Sequence, residues 1–109
     1  MSVTVEQLRT NLAVANQIRL DRADLHHVIA AMSQRGGAQH VARLLLDPPD
    51  SLHNLAVRKL LLWINRWGDS RAEGLLAELE IGQRRDVTVG ELTERQRVLL
   101  SDALTGARP

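Results

Sequence analysis

Six basic residues fall between Arg58 and Arg85, and their spacing suits the electrostatic holding of an anion. They are Arg58, Lys59, Arg66, Arg71, Arg84 and Arg85. Arg66 and Arg71 flank Gly68, in the stretch "WINRWGDSRAEGLLAELEIGQRRDV", where one amphipathic pattern breaks off and a second begins. A turn at Gly68 leaves the backbone N–H groups at the start of the next helix, around Ser70, without intrahelical partners, and the helix dipole adds positive potential there. Phosphate is an anion that such a helix end accepts well. Gly68 is expected to take a positive φ or to let the phosphate approach the backbone. Arginine's planar fork also suits phosphate, and all but one of the chain's 14 basic residues are arginine, a bias that GC-rich coding would produce as well. Asp69, Glu73, Glu78 and Glu80 share the span, so a positive face requires the three glutamates to point away. The plain alternative is a solvated face laced with helix ion pairs. For Arg84 and Arg85 the corresponding alternative is structural, holding the final helix through Glu91 or Glu94.

Other chemistries are poorly served. His26, His27, His40 and His53 include no pair at i, i+4 spacing and have no cysteine to assist them, so no metal site is expected. The carboxylate pairs Asp21/Asp24 and Glu78/Glu80 come without a nucleophile motif. No catalytic residue and no cofactor is assigned, and the chain is not read as an enzyme. The start, "MSVTVEQLRTN", has neither a basic region nor an apolar run, and no apolar stretch reaches the roughly 18 residues of a membrane span. The absence of cysteine fits a reducing compartment, and a cytoplasmic location is expected.

The elements that must position the basic residues are all helical. With 109 residues, 44% hydrophobic and 25% charged, residues 1–109 read as one folded domain. Thr4 and Gln7 have the spacing of a capping box, and Val5, Leu8, Leu12, Ala15 and Ile18 follow at helical intervals. The pattern continues through Leu25, Val28, Ile29 and Met32 and stops at Gly36-Gly37, which predicts a long N-terminal helix over 5–34, although Asp21 or Asp24 offers a cap for a separate one. "AQHVARLLL" makes a short helix that Asp47-Pro48-Pro49 ends. Asp50 then caps a short helix or turn around "SLHNLA". In "VRKLLLWINRW", Leu60, Ile64 and Trp67 share a helix face, with Gly68 as the stop, and Asp69 or Ser70 caps a helix that turns Ala72, Leu75, Leu76 and Leu79 inward. Gly74 lies inside that helix at a cost of about 1 kcal/mol relative to alanine, which a close helix crossing would explain. Thr93 with Gln96 repeats the capping-box spacing and opens a final helix carrying Leu99, Leu100, Ala103 and Leu104. "DVTV" is too short to build a sheet. Trp63 and Trp67, one turn apart, read as core or core-rim anchors rather than platforms for bases.

Leu60-Leu61, Gly68, Ala72, Glu78-Leu79-Glu80-Ile81, Arg84-Arg85 and Arg95-Gln96-Arg97 occur in an order and spacing that resembles the actinobacterial type of integration host factor. This is a single-chain nucleoid-associated protein, unrelated to the histone-like heterodimer of the same name. The resemblance runs from Val57 through Arg97 and reaches weakly upstream to the long N-terminal helix. It implies an all-α fold in which a long N-terminal helix precedes a helix-two-turns-helix DNA-binding region, here 38–105. It also implies low-specificity binding of double-stranded DNA, with bending or compaction of the duplex. The sequence departs from the family at Asn65, where proline is usual, at Trp67, where valine is usual, and at Asn54 and Ala56, where lysines are usual. The spacing after Arg85 also differs by two or three residues. These departures thin the positive field and suit a diverged or phage-borne member.

The expected DNA-binding set is therefore Arg58, Lys59, Arg66, Gly68, Ser70, Arg71, Arg84 and Arg85. The expected partner is double-stranded DNA, with the protein associated with the nucleoid, no membrane partner, and a monomer favoured. Neutralising three or four phosphates would give a log–log salt slope of about −3 to −4. The alternative from another class is a protein-interaction module, in which the Leu8, Leu12, Ala15 and Ile18 stripe docks a partner and the glycine hairpin serves only as scaffold.

Overall fold

Thr4 opens the first helix in the computed structural model, which describes residues 4–82 and 85–106. Its hydroxyl accepts the Gln7 N–H while the Gln7 side chain accepts the Thr4 N–H, and helix α1 runs from there over Val5–Ala31. The helix ends earlier than expected. Met32 adopts an extended conformation and Ser33 caps a new helix, α2 (Gln34–Leu46), by accepting the Gly36 N–H. The predicted helix over 5–34 therefore stops at Ala31, and Gly36-Gly37 lies inside α2 rather than ending α1. The physical reason is close approach: a Cβ on Gly37 would stand 3.3 Å from the Ile29 carbonyl oxygen and 3.6 Å from the Cγ2 atoms of both Ile29 and Ile64. The glycine lets α2 lie directly against the end of α1.

Asp47 ends α2 ahead of the two prolines, as the sequence predicts, and a 3-10 turn follows over Asp50–Leu52, with Pro49 rather than Asp50 at the cap. Helices α3 (Val57–Leu62), α4 (Asp69–Glu78) and α5 (Glu94–Thr105) complete the fold, with a second 3-10 turn over Val89–Glu91 before α5. Thr93 caps α5 through the predicted box with Gln96. Among the described residues there is no strand. A single antiparallel bridge joins Ala56 to Thr88, flanked by bonds from the Val57 N–H to the Val87 oxygen and from the Val89 N–H to the Leu55 oxygen, each 2.9 Å. The fold is all-α, and no helix among the described residues is long and apolar enough to cross a membrane.

The core is built from one side of each helix. Val41, Ala42 and Leu45 of α2 meet Leu100 and Leu104 of α5, joined by Val57, Leu60 and Leu61 of α3, Ala72 and Leu76 of α4, and Leu52, Ile64 and Val89 from the connections. From α1 only Ile29 is fully buried, with Leu25 packed at the core's edge. His26 of α1 stacks on Trp63, ring centroids 5.0 Å apart and planes within 8° of parallel, and the Arg22 Nε donates to the Ser51 oxygen at 2.6 Å. These contacts dock the second half of α1. The first half stands clear: every residue from 4 to 17 is exposed, including Val5, Leu8, Leu12 and Val14. The resulting shape, 55 × 31 × 23 Å with a radius of gyration of 15.5 Å, is extended relative to the roughly 13 Å of a compact chain this long.

Candidate nucleic-acid interface

Helix α3 is only six residues long, and it ends before the glycine hairpin that the sequence places at its terminus. After Leu62 the backbone tightens: the Trp63 and Ile64 N–H groups donate to the Leu60 and Leu61 oxygens, and Arg66 turns the chain with a φ of 67°. Arg66 therefore takes the positive φ that is one of the two alternatives expected of Gly68. Gly68 itself is extended, with φ −98° and ψ 174°, and a Cβ there would meet nothing within 4 Å. The expected stop and cap are corrected at this point: α3 ends at Leu62, ahead of Gly68, and Gly68 is itself the N-cap of α4, a role expected of Asp69 or Ser70. Of the two alternatives expected of Gly68 the positive φ is absent, which leaves the approach of a phosphate to its backbone. Because a glycine caps α4, no side chain accepts from its first turn, whereas α1, α2 and α5 are each closed by a hydroxyl from Thr4, Ser33 or Thr93. The first turn of α4 thus presents amide donors that lack intrahelical acceptors.

The basic residues divide into two groups according to what they touch. Arg58, at the start of α3, reaches Asp69 at the head of α4 (Nη1 to Oδ1, 2.9 Å) and Asp86 (Nε to Oδ1, 3.4 Å). The hydrogen bond and charge of Asp86, then Asp69, raise the Arg58 pKa above its ordinary value. One guanidinium thus serves two carboxylates, and the triad carries a net negative charge. Arg85 forms a two-pronged pair with Glu91, one prong at 3.1 Å, and its Nη1 also donates to the Asp86 oxygen at 3.3 Å. Glu91 in turn accepts from the Thr88 N–H and hydroxyl, both at 3.0 Å. The Arg85 hydrogen bond, followed by those from Thr88, holds the Glu91 carboxyl down at about 2. Arg84 lies outside the described residues.

Lys59, Arg66 and Arg71 form the second group. All three are exposed, and none has a hydrogen bond or ion pair with a described residue. Arg71 lies over Trp67, its guanidinium carbon 4.4 Å from the ring centroid. Ser70 is exposed in the first turn of α4. Behind them α4 buries Ala72 and Leu76, with Leu75 and Leu79 at the core's edge, as its spacing predicts. Gly74 faces open space, where a Cβ would meet nothing within 4 Å, so the close crossing expected there is absent. Arg66 and Arg71, on either side of the α4 cap, are the cations that the fold leaves available beside its open first turn.

Two arginines outside the expected set are structural. Arg97 donates to the Leu45 oxygen (2.9 Å) and the Val89 oxygen (2.8 Å), tying α5 to the end of α2, and Arg22 fixes α1 as described above. The bonds to Leu45 and Ser51 cross long stretches of sequence to backbone acceptors, for which local spacing gives no signal. One other feature did carry a local signal, the capping-box spacing of Thr88 and Glu91. Trp67 precedes the cap of α4, so its contact with Arg71 comes from the turn rather than from helical spacing. The chain matches no protein-family model, no curated protein and no solved structure.

Proposed function

We propose that the protein binds duplex DNA with low sequence specificity through phosphate contacts, as the resemblance to actinobacterial integration host factor implies, with bending or compaction as the consequence. The observation that carries this reading is the glycine-capped start of α4 with Arg66 and Arg71 on either side of the cap, neither paired with a described residue. Backbone amides and arginines both suit phosphate oxygens, and such contacts position a protein on DNA without reading bases. Arg58 and Arg85 belong to this site as organisers, because each is committed to carboxylates of its own chain.

Gel-shift titrations of unrelated duplexes at several salt concentrations test the proposal. Comparable affinity for every duplex, falling steeply as salt rises, is the expected result. Failure to retard any duplex at low salt would overturn it. A second reading, a protein-interaction module docking through α1, is favoured by one specific observation: Val5, Leu8 and Leu12 are 65%, 50% and 64% exposed on a part of the helix that packs against nothing else described. An apolar helix interface would be nearly insensitive to salt, so the same titration series, run with a candidate partner, separates the two.

A further inference from the structure

Trp67 and Arg71 straddle the cap of α4, and their stacking gives Arg71 a fixed place that an exposed arginine ordinarily lacks. Trp67 is half-buried and packed against the core, and its Nε1 is enclosed without a hydrogen-bond partner among the described residues. The ring is therefore held by packing. Arg71 lies over that ring at 4.4 Å and has no polar partner among the described residues, so its in-plane N–H groups remain available. A guanidinium held over a ring still has N–H groups directed away from that ring, and these serve a phosphate. Holding the fork in advance also removes part of the ordering cost that a mobile side chain meets on binding.

We infer that Trp67 is a positioning residue for the proposed phosphate site, holding Arg71 beside the open first turn of α4 so that its N–H edge meets a DNA phosphate. The inference rests on the phosphate-binding reading given above.

Charge and plane can be separated by substitution. Arg71→Lys keeps the charge but cannot stack as a plane. Trp67→Leu removes the platform, and Trp67→Phe keeps an aromatic face of reduced size. Affinity for a fluorescent duplex would be measured by anisotropy as a function of salt, with melting temperature recorded for each protein. Arg71→Lys is expected to bind about two- to tenfold more weakly than the parent, the range that one hydrogen bond of the lost donor fork is worth, with its salt slope retained because one cation still meets one phosphate. Trp67→Leu should lose a similar factor, Trp67→Phe should recover most of it, and Trp67→Leu combined with Arg71→Lys should be no weaker than either alone. Arg71→Lys binding as tightly as the parent would overturn the inference while leaving the proposed function standing, and it would do so even if Trp67→Leu failed to fold. Additive losses in the double variant would likewise overturn it, since Trp67 would then act through the fold. A parent protein that binds no duplex would overturn the proposed function and this inference together.

Discussion

Replacing Arg66 and Arg71 together by alanine should remove most of the salt dependence of DNA binding and leave the fold intact. In the proposed site the cations unpaired among the described residues are Lys59, Arg66 and Arg71, because Arg58 is held by Asp69 and Asp86 and Arg85 by Glu91. Three phosphates neutralised give a log–log salt slope of roughly −2.7 on duplex DNA, so raising salt from about 50 to 200 mM should weaken the parent by roughly 40-fold. With one cation left the slope falls to about −0.9, and the same change in salt costs only about 3.5-fold. Neither arginine makes an ion pair or hydrogen bond with a described residue, so the melting temperature should fall by no more than the few degrees that the Arg71–Trp67 contact, about 0.5–1 kcal/mol, is worth. Arg66 does hold a left-handed φ, at which alanine is strained, and Arg66→Gly with Arg71→Ala is the control that removes the same charges without that strain. The assay is anisotropy of two unrelated duplexes across that salt range. A double variant with the parent's slope would refute the assignment of these residues as the phosphate contacts. An Arg85→Ala variant with a shallower slope and an unchanged melting temperature would show that the ion pair with Glu91 opens on DNA and that Arg85 is a contact after all.

Three further predictions concern the framework that holds this site. Gly74→Ala should raise stability by about 1 kcal/mol, roughly 3 to 6 °C in melting temperature for a domain of this size, because a methyl group there meets open space in the middle of α4; a lower melting temperature would show that the position is not free. The Glu91 carboxyl, held at about 2 against an ordinary 4.5, contributes stability that is fully present above about 4.5 and is lost as pH falls towards 2. Glu91→Gln should therefore melt below the parent at neutral pH, with the difference closing as the pH is lowered; a difference independent of pH would rule out the charged pair as its source. Limited trypsin digestion should cut first after Arg9, which lies in the uncovered half of α1, since a lone helical segment of this length is marginal in water. An Arg9 bond that survives as long as the one after Arg97 would mean that something covers the helix.

Much of the fold is legible in the sequence because its signals are local. The capping boxes at Thr4 and Thr93, the proline break after Leu46 and the inward spacing of Ala72, Leu75, Leu76 and Leu79 all appear where the sequence puts them. The boundaries that differ both turn on a glycine, whose type alone does not say whether it reverses the chain, admits a close approach or does neither. Gly37 reads as a stop, yet it sits buried inside α2 where Ile29 and Ile64 leave no room for a side chain. Gly68 reads as the stop of the preceding helix, with a positive φ as one of two alternatives, yet α3 ends at Leu62 and Arg66 takes the positive φ. For Gly37 the deciding contacts come from elements that local spacing does not report.

The site is legible only as a set of residue types, because folding decides which charges remain available. Arg58 finds Asp86 across 28 positions and Arg85 finds Glu91 across six, while Arg66 and Arg71, no different in type, find no carboxylate among the described residues. Local charge density therefore overstates the positive field: the Arg58 triad is net negative and the Arg85 pair is neutral. On the proposed reading, a phosphate would meet few cations, and the affinity each supplies would depend on how well it is held. That places weight on Arg71, whose guanidinium lies against a fixed surface. On that reading Trp67 supplies a platform beneath one arginine at the head of α4 while Asn54 and Ala56 add no charge upstream of α3, so binding through this site should depend strongly on the geometry of a single side chain.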